Sequence, residues 1–315
     1  MIVTGAGRGI GRAVAELLAD RGAQVVVNDR GGSVDGVGGS QEPADEVVSA
    51  IVSAGGRAVA SAADIGSEVG AQSVVDSALA SFGRVDGLVN CAGIIRPDSI
   101  EDLQVQQFDD IHRVHVGGSV AMTRAVWPHM QRQGYGRIAL AISAGFLGSP
   151  GALSYATAKG GIFSFGRSVA RSGQDHDIKV NLFLPSAQTR MIGLKGVGDA
   201  AGRSSAPPRA AKAAPEMVAA LPAYLVHDAV PVTGETFSVT GTNVARIYVA
   251  ETRGLSVGPD GQLDLETVSA QWAAVMDGVG AATPVDSADH GAFRKKVADE
   301  VVEVSAIGSG GGPAA

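Results

Sequence analysis

A tyrosine hydroxyl is a poor base at neutral pH, because its unperturbed pKa lies near ~10. An ammonium group held beside it stabilises the phenolate and lowers that pKa. In this chain of 315 residues, Tyr155 and Lys159 stand four apart in the stretch SYATAK, and on a helix that spacing turns both side chains to one face. With a further positive charge nearby, the two make a usable proton acceptor. Taken alone, a tyrosine and a lysine at this spacing also suit an ordinary surface pair. Ser143 precedes the tyrosine by twelve residues, in AISAG.

A second set of residues has the spacing of an anion cradle. TGAGRGIG, Thr4 to Gly11, stands between an apolar run and a helical pattern. Glycine there lets the backbone turn sharply and approach a pyrophosphate with no Cβ in the way, and the free N–H groups of a helix start point at the anion. Gly5, Arg8, Gly9, Ile10 and Gly11 are the expected contacts. The run VVVND ends in Asp29, eighteen residues after Gly11. A carboxylate at that distance accepts hydrogen bonds from an adenosine ribose and repels a 2′-phosphate, which favours NAD over NADP, while Arg30 next to it softens the repulsion. Asp64 and Ile65 stand where an adenine ring could rest. Asn90, Ala92 and Gly93 in NCAG leave room for cofactor contact, or the Asn90 amide only ties neighbouring strands together.

These residues need elements that bring them to one edge. Short β-branched runs at Ile2–Thr4, Val25–Asn28, Arg57–Ala62, Gly87–Asn90, Arg137–Ile142, Val180–Leu184 and Glu235–Val239 alternate with helical patterns near 10–21, 41–54, 67–82, 104–133, 155–174 and 215–227. The alternation predicts an α/β fold, a doubly wound parallel sheet with helices on both faces, whose ligands bind beyond the carboxyl ends of the strands where strand order reverses. One domain is expected over 1–250, with a substrate loop over 186–213. Within it Gly193–Ala213 is rich in Gly, Ala, Ser and Pro, and suits a mobile loop beside the site or a solvated linker. An extension over 251–315 carries one helical pattern at Leu265–Met276 and ends in GSGGGPAA, expected to be disordered.

Composition narrows the function classes. A chain of this length with 45% hydrophobic residues buries a sizeable core. A formal charge of -7 gives no footprint for nucleic acid or an anionic membrane. No apolar run approaches the ~20 residues a membrane helix needs, and GAGRG interrupts the apolar start, so no signal peptide is expected. The single cysteine, Cys91, excludes an internal disulfide framework and a Cys-based zinc site. No metal is expected, and a reducing, cytoplasmic location is.

TGAGRGIG, the Asp29 turn, NCAG and YATAK, in this order and each beside a predicted strand end, resemble the short-chain dehydrogenase/reductase family over roughly residues 1–250. The resemblance implies a Rossmann-type sheet and hydride transfer between a nicotinamide cofactor and an alcohol or carbonyl carbon. It makes Tyr155 the group that exchanges the substrate proton, with Lys159 beside it, adds Thr189 to the cofactor contacts, and implies a homodimer or homotetramer. VVVNDRGGSVDGVG, HRVHVGGS and LPSAQTRM are similar, more narrowly, to the (3R)-hydroxyacyl-CoA dehydrogenase part of peroxisomal multifunctional enzyme type 2 and its bacterial relatives, some of them linked to 17β-hydroxysteroid oxidation. This implies an acyl-CoA or a steroid as the small-molecule substrate. Lys195, Arg203, Arg209 and Lys212 would then meet CoA phosphates, or are simply solvated.

Two positions depart from the family. Most members place an asparagine where this chain has His115, which either holds a water relaying protons from Lys159 or is a packed histidine satisfied by one backbone partner. The family's serine falls where this chain has Ile142. Side chains alternate along a strand, so a one-residue offset would turn Ser143 away from the substrate, whereas a bend at the strand end, eased by Gly145, would return it. Three readings follow: an NAD-dependent oxidoreductase, an NADP-dependent 3-oxoacyl reductase, and a dinucleotide-binding regulator that has lost efficient chemistry.

Overall fold

Val25, Val26 and Val27 are all fully buried, yet Val25 and Val27 belong to one apolar layer and Val26 to another. Such double burial marks a central strand covered on both faces. The computed structural model describes residues 1–187, 214–257 and 261–308, with 301–308 by backbone alone. The chain divides into two compact units, Met1–Ile247 and Tyr248–Ala315.

In the first unit β1 (Ile2–Thr4), β2 (Gln24–Asn28), β3 (Arg57–Ser61), β4 (Gly87–Asn90), β5 (Gly136–Ala141), β6 (Ile178–Pro185), β7 (Thr236–Thr240) and β8 (Asn243–Ile247) form one sheet in the order β3-β2-β1-β4-β5-β6-β7-β8. The seven expected strands are all present and run parallel. β8 is an antiparallel edge strand on β7 and has no counterpart in the sequence reading. Its residues NVARI are largely exposed, so they lack the buried β-branched run that marks the others.

The helices of this unit are α1 (Gly9–Asp20), α2 (Glu42–Ser53), α3 (Glu68–Phe82), α4 (Val105–His112), α5 (Gly118–Gln133), α6 (Leu153–Ser172) and α7 (Ala220–Leu225). α1, α2 and α7 bury their apolar residues on one face of the sheet, and α3, α5 and α6 on the other. Strand order reverses between β1 and β4, and a cleft opens beyond their carboxyl ends, as doubly wound sheets dictate.

The expected helix over 104–133 is in fact two helices, α4 and α5, joined by one π-helical turn at Arg113–Gly117. The Gly118 N–H bonds to the Arg113 carbonyl, five residues back, and the Ser119 hydroxyl donates to the His115 carbonyl at 2.7 Å. Single π turns of this kind are frequent at functional sites. The carboxyl ends of β1 and β4 are joined by buried side chains: Thr4 Oγ1 donates to Asn90 Oδ1, and the Asn90 amide donates to Ser119 Oγ at 2.9 Å.

Of the expected substrate loop, residues 188–213 lie outside the described residues, and with them Thr189, Lys195, Arg203, Arg209 and Lys212. Residues 309–315 of the terminal GSGGGPAA lie outside them too. In the second unit the expected helix at Leu265–Met276 is two short ones, α8 (Leu265–Ala270) and α9 (Trp272–Met276), separated by Gln271. A further helix, α10 (Ser287–Gly308), has no counterpart in the one helical pattern expected of the extension; charged residues and Gly291 hide its periodicity. Arg294 pairs with Glu251 at 3.4 Å, and Arg253 with Glu300. Among the described residues no helix is long and apolar enough to cross a membrane.

Replacing Asn90 with Ala deprives the buried Thr4 and Ser119 hydroxyls of a partner each. The unfolding free energy is expected to fall by about 2–3 kcal/mol, read from urea unfolding; an unchanged midpoint would remove this seam from the stability of the sheet.

Candidate active site

The cleft at the reversal point has a volume of about 540 Å³. The glycine loop builds one end. Gly5 has φ +62°, and a Cβ there would stand 2.8 Å from the backbone of Ala92; at Gly11 a Cβ would stand 2.2 Å from the Gly5 carbonyl. Only bare Cα atoms let loop, helix and β4 approach so closely. No side chain caps the start of α1, and no acidic residue occupies its first turn. Its free N–H groups and the positive end of its dipole therefore remain available to an anion.

Asp29 fastens the rim of this cradle. One carboxylate oxygen accepts from the Gly7 N–H at 2.8 Å and the other from the Gly31 N–H at 2.7 Å. Arg8 and Arg30 line the same end, donating to the Gly32 and Gly36 carbonyls, each at 3.2 Å. Gly9, Ile10, Asp64, Ile65, Ala92 and Gly93 also line the cleft, and Asp64 pairs with Arg113 at 3.1 Å. Asn90 is not part of the lining. Its amide is engaged behind the wall by Thr4 and Ser119, which fits the strand-tying reading.

Tyr155, Lys159, Ser143 and His115 all line this cleft. The Lys159 ammonium donates to the Ala141 carbonyl at 2.8 Å and lies 5.5 Å from the centre of the Tyr155 ring. Burial lowers its pKa to about 8, with Cys91 pulling the other way. Burial pushes the Tyr155 phenol above its usual value, and hydrogen bonding with the Ser143 hydroxyl draws it back. The Cys91 thiol is raised by burial to about 12, opposed by Lys159, so it is protonated and unreactive.

The serine offset has a local resolution. β5 ends at Ala141; Ile142 adds one more ladder bond, from its N–H to the Phe183 carbonyl at 2.8 Å, and buries its side chain on the α3, α5 and α6 side. Strand alternation thus fixes Ile142 inward. Ser143 is still extended, but the chain then coils into a single 3-10 turn, Ala144–Leu147. The Ser143 hydroxyl accepts from the Gly145 N–H at 3.2 Å and faces the Tyr155 phenol.

The π turn presents His115 edge-on to Tyr155, with ring centroids 5.3 Å apart and planes at 85°. Its Nε2 meets the backbone of Ile94, 2.7 Å from the carbonyl and 3.1 Å from the N–H. Burial, reinforced by Lys159, holds the imidazole well below its usual pKa and therefore neutral. Nδ1 is buried without a hydrogen-bond partner among the described residues.

Some lining residues escape sequence reasoning. Ser33, Val34 and Gly36 reach the cleft from the loop after β2, held there by Ile95 N–H on the Val34 carbonyl at 3.0 Å and by Arg96 on the Asp35 carbonyl at 2.8 Å. The run GGSVDGVGGS signals a loop, but its direction is set by these distant partners.

The profile of the short chain dehydrogenase family matches residues 1–193. The chain belongs to the short-chain dehydrogenase family. It is 36% identical over 283 residues to a short-chain type dehydrogenase/reductase of Mycobacterium tuberculosis, covering 89% of this chain and 95% of that one. It is 37% identical over 287 residues to peroxisomal multifunctional enzyme type 2 of Mus musculus, covering 90% of this chain but only 37% of the mouse protein. Among solved structures, full-length peroxisomal multifunctional enzyme type 2 from Drosophila melanogaster matches with a TM-score of 0.76 at 26% identity, over 96% of this chain and 49% of that one. A short chain dehydrogenase from Mycobacterium avium matches with a TM-score of 0.72 at 33% identity, over 88% and 94%. This short-chain dehydrogenase is an oxidoreductase close to the dehydrogenase part of multifunctional enzyme type 2. The family binds a nicotinamide dinucleotide, and the uncapped helix start with its crowded glycines fits one.

A buried ammonium gives a pH signature. The native Lys159 pKa is about 8 against an ordinary 10.5. Between those values the unfolded chain binds a proton that the native chain has lost, so this group's contribution to stability rises with pH through that window. Lys159→Met has no such titration. The difference in Tm, wild type minus variant, is expected to grow from about pH 8 to pH 10.5 in scanning calorimetry, and a flat difference would refute the depressed pKa.

Proposed function

We propose that this chain is an NAD-dependent oxidoreductase interconverting a secondary alcohol and its ketone, with a 3-hydroxyacyl-CoA or a hydroxysteroid as substrate. The carrying observation is that Tyr155, Lys159 and Ser143 share one cleft with the glycine cradle. A protein that only bound the dinucleotide would need none of the three. Gly5, Arg8, Gly9, Ile10 and Gly11 would hold the pyrophosphate, Asp29 the adenosine ribose, Asp64 and Ile65 the adenine, and Ala92, Gly93, Tyr155 and Lys159 the other half. When bound, the dinucleotide supplies a positively charged nicotinamide ring that accepts hydride from the carbinol carbon.

The side chains handle the proton. In the oxidation direction the Ser143 hydroxyl orients the substrate oxygen, and Tyr155, having first given up its own proton to become the phenolate, takes the hydroxyl proton from it. Burial makes the phenol reluctant to ionise, and the Ser143 hydrogen bond opposes that; the Lys159 ammonium, 5.5 Å from the ring centre, would favour a phenolate once one forms. The Ala141 carbonyl keeps the ammonium in place. His115, neutral and with an Nδ1 that has no partner among the described residues, suits the holding of a water that passes the proton on from Lys159.

The Asp29 carboxylate supports NAD, since it stands where a 2′-phosphate would need a cation. Arg8 and Arg30 at the same end support a second reading, NADP-linked reduction of a 3-oxoacyl thioester. The regulator reading rests on Ile142, and the hydrogen bonding of Ser143 with Tyr155 supports the enzyme reading against it. The acyl-CoA choice draws on likeness to multifunctional enzyme type 2, most of which this chain does not span. A cytoplasmic homodimer or homotetramer joined through the long helices completes the reading, and the exposed Val105 and Val120 on α4 and α5 support that surface.

The test mixes purified protein with NAD or NADP and a panel of 3-hydroxyacyl-CoA thioesters and hydroxysteroids, following the absorbance band of the reduced cofactor. Turnover with NAD is expected; Tyr155→Phe should lower kcat by about 10²–10⁴-fold and Ser143→Ala by about 10²-fold. Binding of NADH without turnover on any panel member would overturn the enzyme reading, and a preference for NADP would transfer the assignment to the reductase. An unchanged rate in Ser143→Ala would remove the serine from the mechanism.

A further inference from the structure

The helix that carries Tyr155 starts without a cap of its own. Ala152 is the N-cap of α6 and brings no side-chain acceptor. The acceptor comes from 56 residues earlier. Asp98, in the segment after β4, is only 4% exposed; its carboxylate accepts from the Ser154 N–H at 3.1 Å and also from the Ser154 hydroxyl. Its own N–H donates to the Gly151 carbonyl at 3.2 Å, and Asp98 forms a parallel bridge with Ala152. A carboxylate at a helix start satisfies free N–H groups and meets the positive end of the helix dipole.

Asp98 ends a segment that reaches several parts of the site. The Ala92 N–H donates to the Thr4 hydroxyl at 3.2 Å, Ile94 holds the His115 ring, and Ile95 holds the loop after β2. Arg96 pairs with Asp110 of α4 at 3.0 Å. Asp98 itself is not part of the cleft lining.

We propose that Asp98 is a positioning residue for the reaction, setting the height of Tyr155 against Ser143 through its grip on Ser154. The inference rests on Tyr155 being the proton-exchanging group. Ser154 directly precedes Tyr155, so a slip of the first turn of α6 carries the phenol with it. Ser143 is anchored separately, at the end of β5, and the glycine cradle separately again. A slip therefore misaligns the hydroxyl and the phenol while leaving the glycine cradle and the Asp29 rim, which carry the larger part of the dinucleotide, where they are. Misplacement by about 1 Å at a reacting group costs on the order of 10²-fold in rate.

Three variants test this, Asp98→Ala, Asp98→Asn and Ser154→Ala, with Tyr155→Phe as reference. Asp98→Ala is expected to lower kcat by about 10–100-fold and to leave the Kd for NADH, read by fluorescence, within about twofold. Asp98→Asn, whose amide oxygen still accepts from the Ser154 N–H, should recover most of the rate. The Tyr155 phenolate, isolated by difference absorbance against Tyr155→Phe, should titrate at a shifted pH in Asp98→Ala and return towards the wild-type value in Asp98→Asn; this readout needs no substrate. Wild-type kcat and phenol titration in Asp98→Ala would overturn the inference, as would loss of NADH affinity in step with kcat. If Asp98→Ala does not fold, Ser154→Ala carries the test: reduced kcat with unchanged NADH binding supports the inference, and wild-type values overturn it. Full turnover in Tyr155→Phe would bring down the function reading and this inference together; a dead Tyr155→Phe beside a fully active Asp98→Ala would bring down this inference alone.

Discussion

The contact between the Lys159 ammonium and the Ala141 carbonyl, 2.8 Å long at the end of β5, is the constraint around which the site is arranged. An ammonium withdrawn from water needs a charged or hydrogen-bonding partner, and the carboxyl end of a parallel strand offers a carbonyl aimed outward. Burial has already drawn the lysine down to about 8, so a drier setting would discharge it at neutral pH, and a wetter one would screen its field from the phenol. The neighbours conform. Burial keeps the His115 ring, the Cys91 thiol and the Tyr155 phenol in their uncharged forms, so among these four groups Lys159 alone carries charge.

That arrangement depends on where strands end. β5 lies between β4 and β6 in the middle of the sheet, and its last ladder bond, at Ile142, fixes the residue from which the chain departs into the turn bearing Ser143. α6 returns over the same edge with the tyrosine and the lysine one turn apart. The seam from Thr4 through Asn90 to Ser119 then joins the cradle side of the cleft to the turn holding His115. Each side chain is placed by an element whose own position is fixed by buried hydrogen bonds.

The parts legible in the sequence are those governed by local periodicity. The central strands are β-branched because they are covered on both faces, and the cradle announces itself because only glycine tolerates the crowding at Gly5 and Gly11. β8 has no buried face to reveal it. The π turn breaks no helical pattern, and the partner of the His115 ring, Ile94, comes from outside the helix. Asn90 looks the same in sequence whether it meets a cofactor or a neighbouring strand. Asp98 in RPDS reads as a turn residue, and its partner Ser154 lies far along the chain. The serine offset was visible, but its outcome hung on where β5 stopped, which pairing with β6 decides.

The π turn sets the packing of the helix that follows it. One residue advances a helix by about 100°, so the surplus residue in Arg113–Gly117 fixes the rotational phase of α5 relative to α4. Met122, Val126 and Met130 are buried in the phase it sets. Deleting that residue would swing all three off the core at once, a step that no gradual exchange of side chains could soften. The turn is therefore fixed by the core behind α5 as well as by the site in front of it.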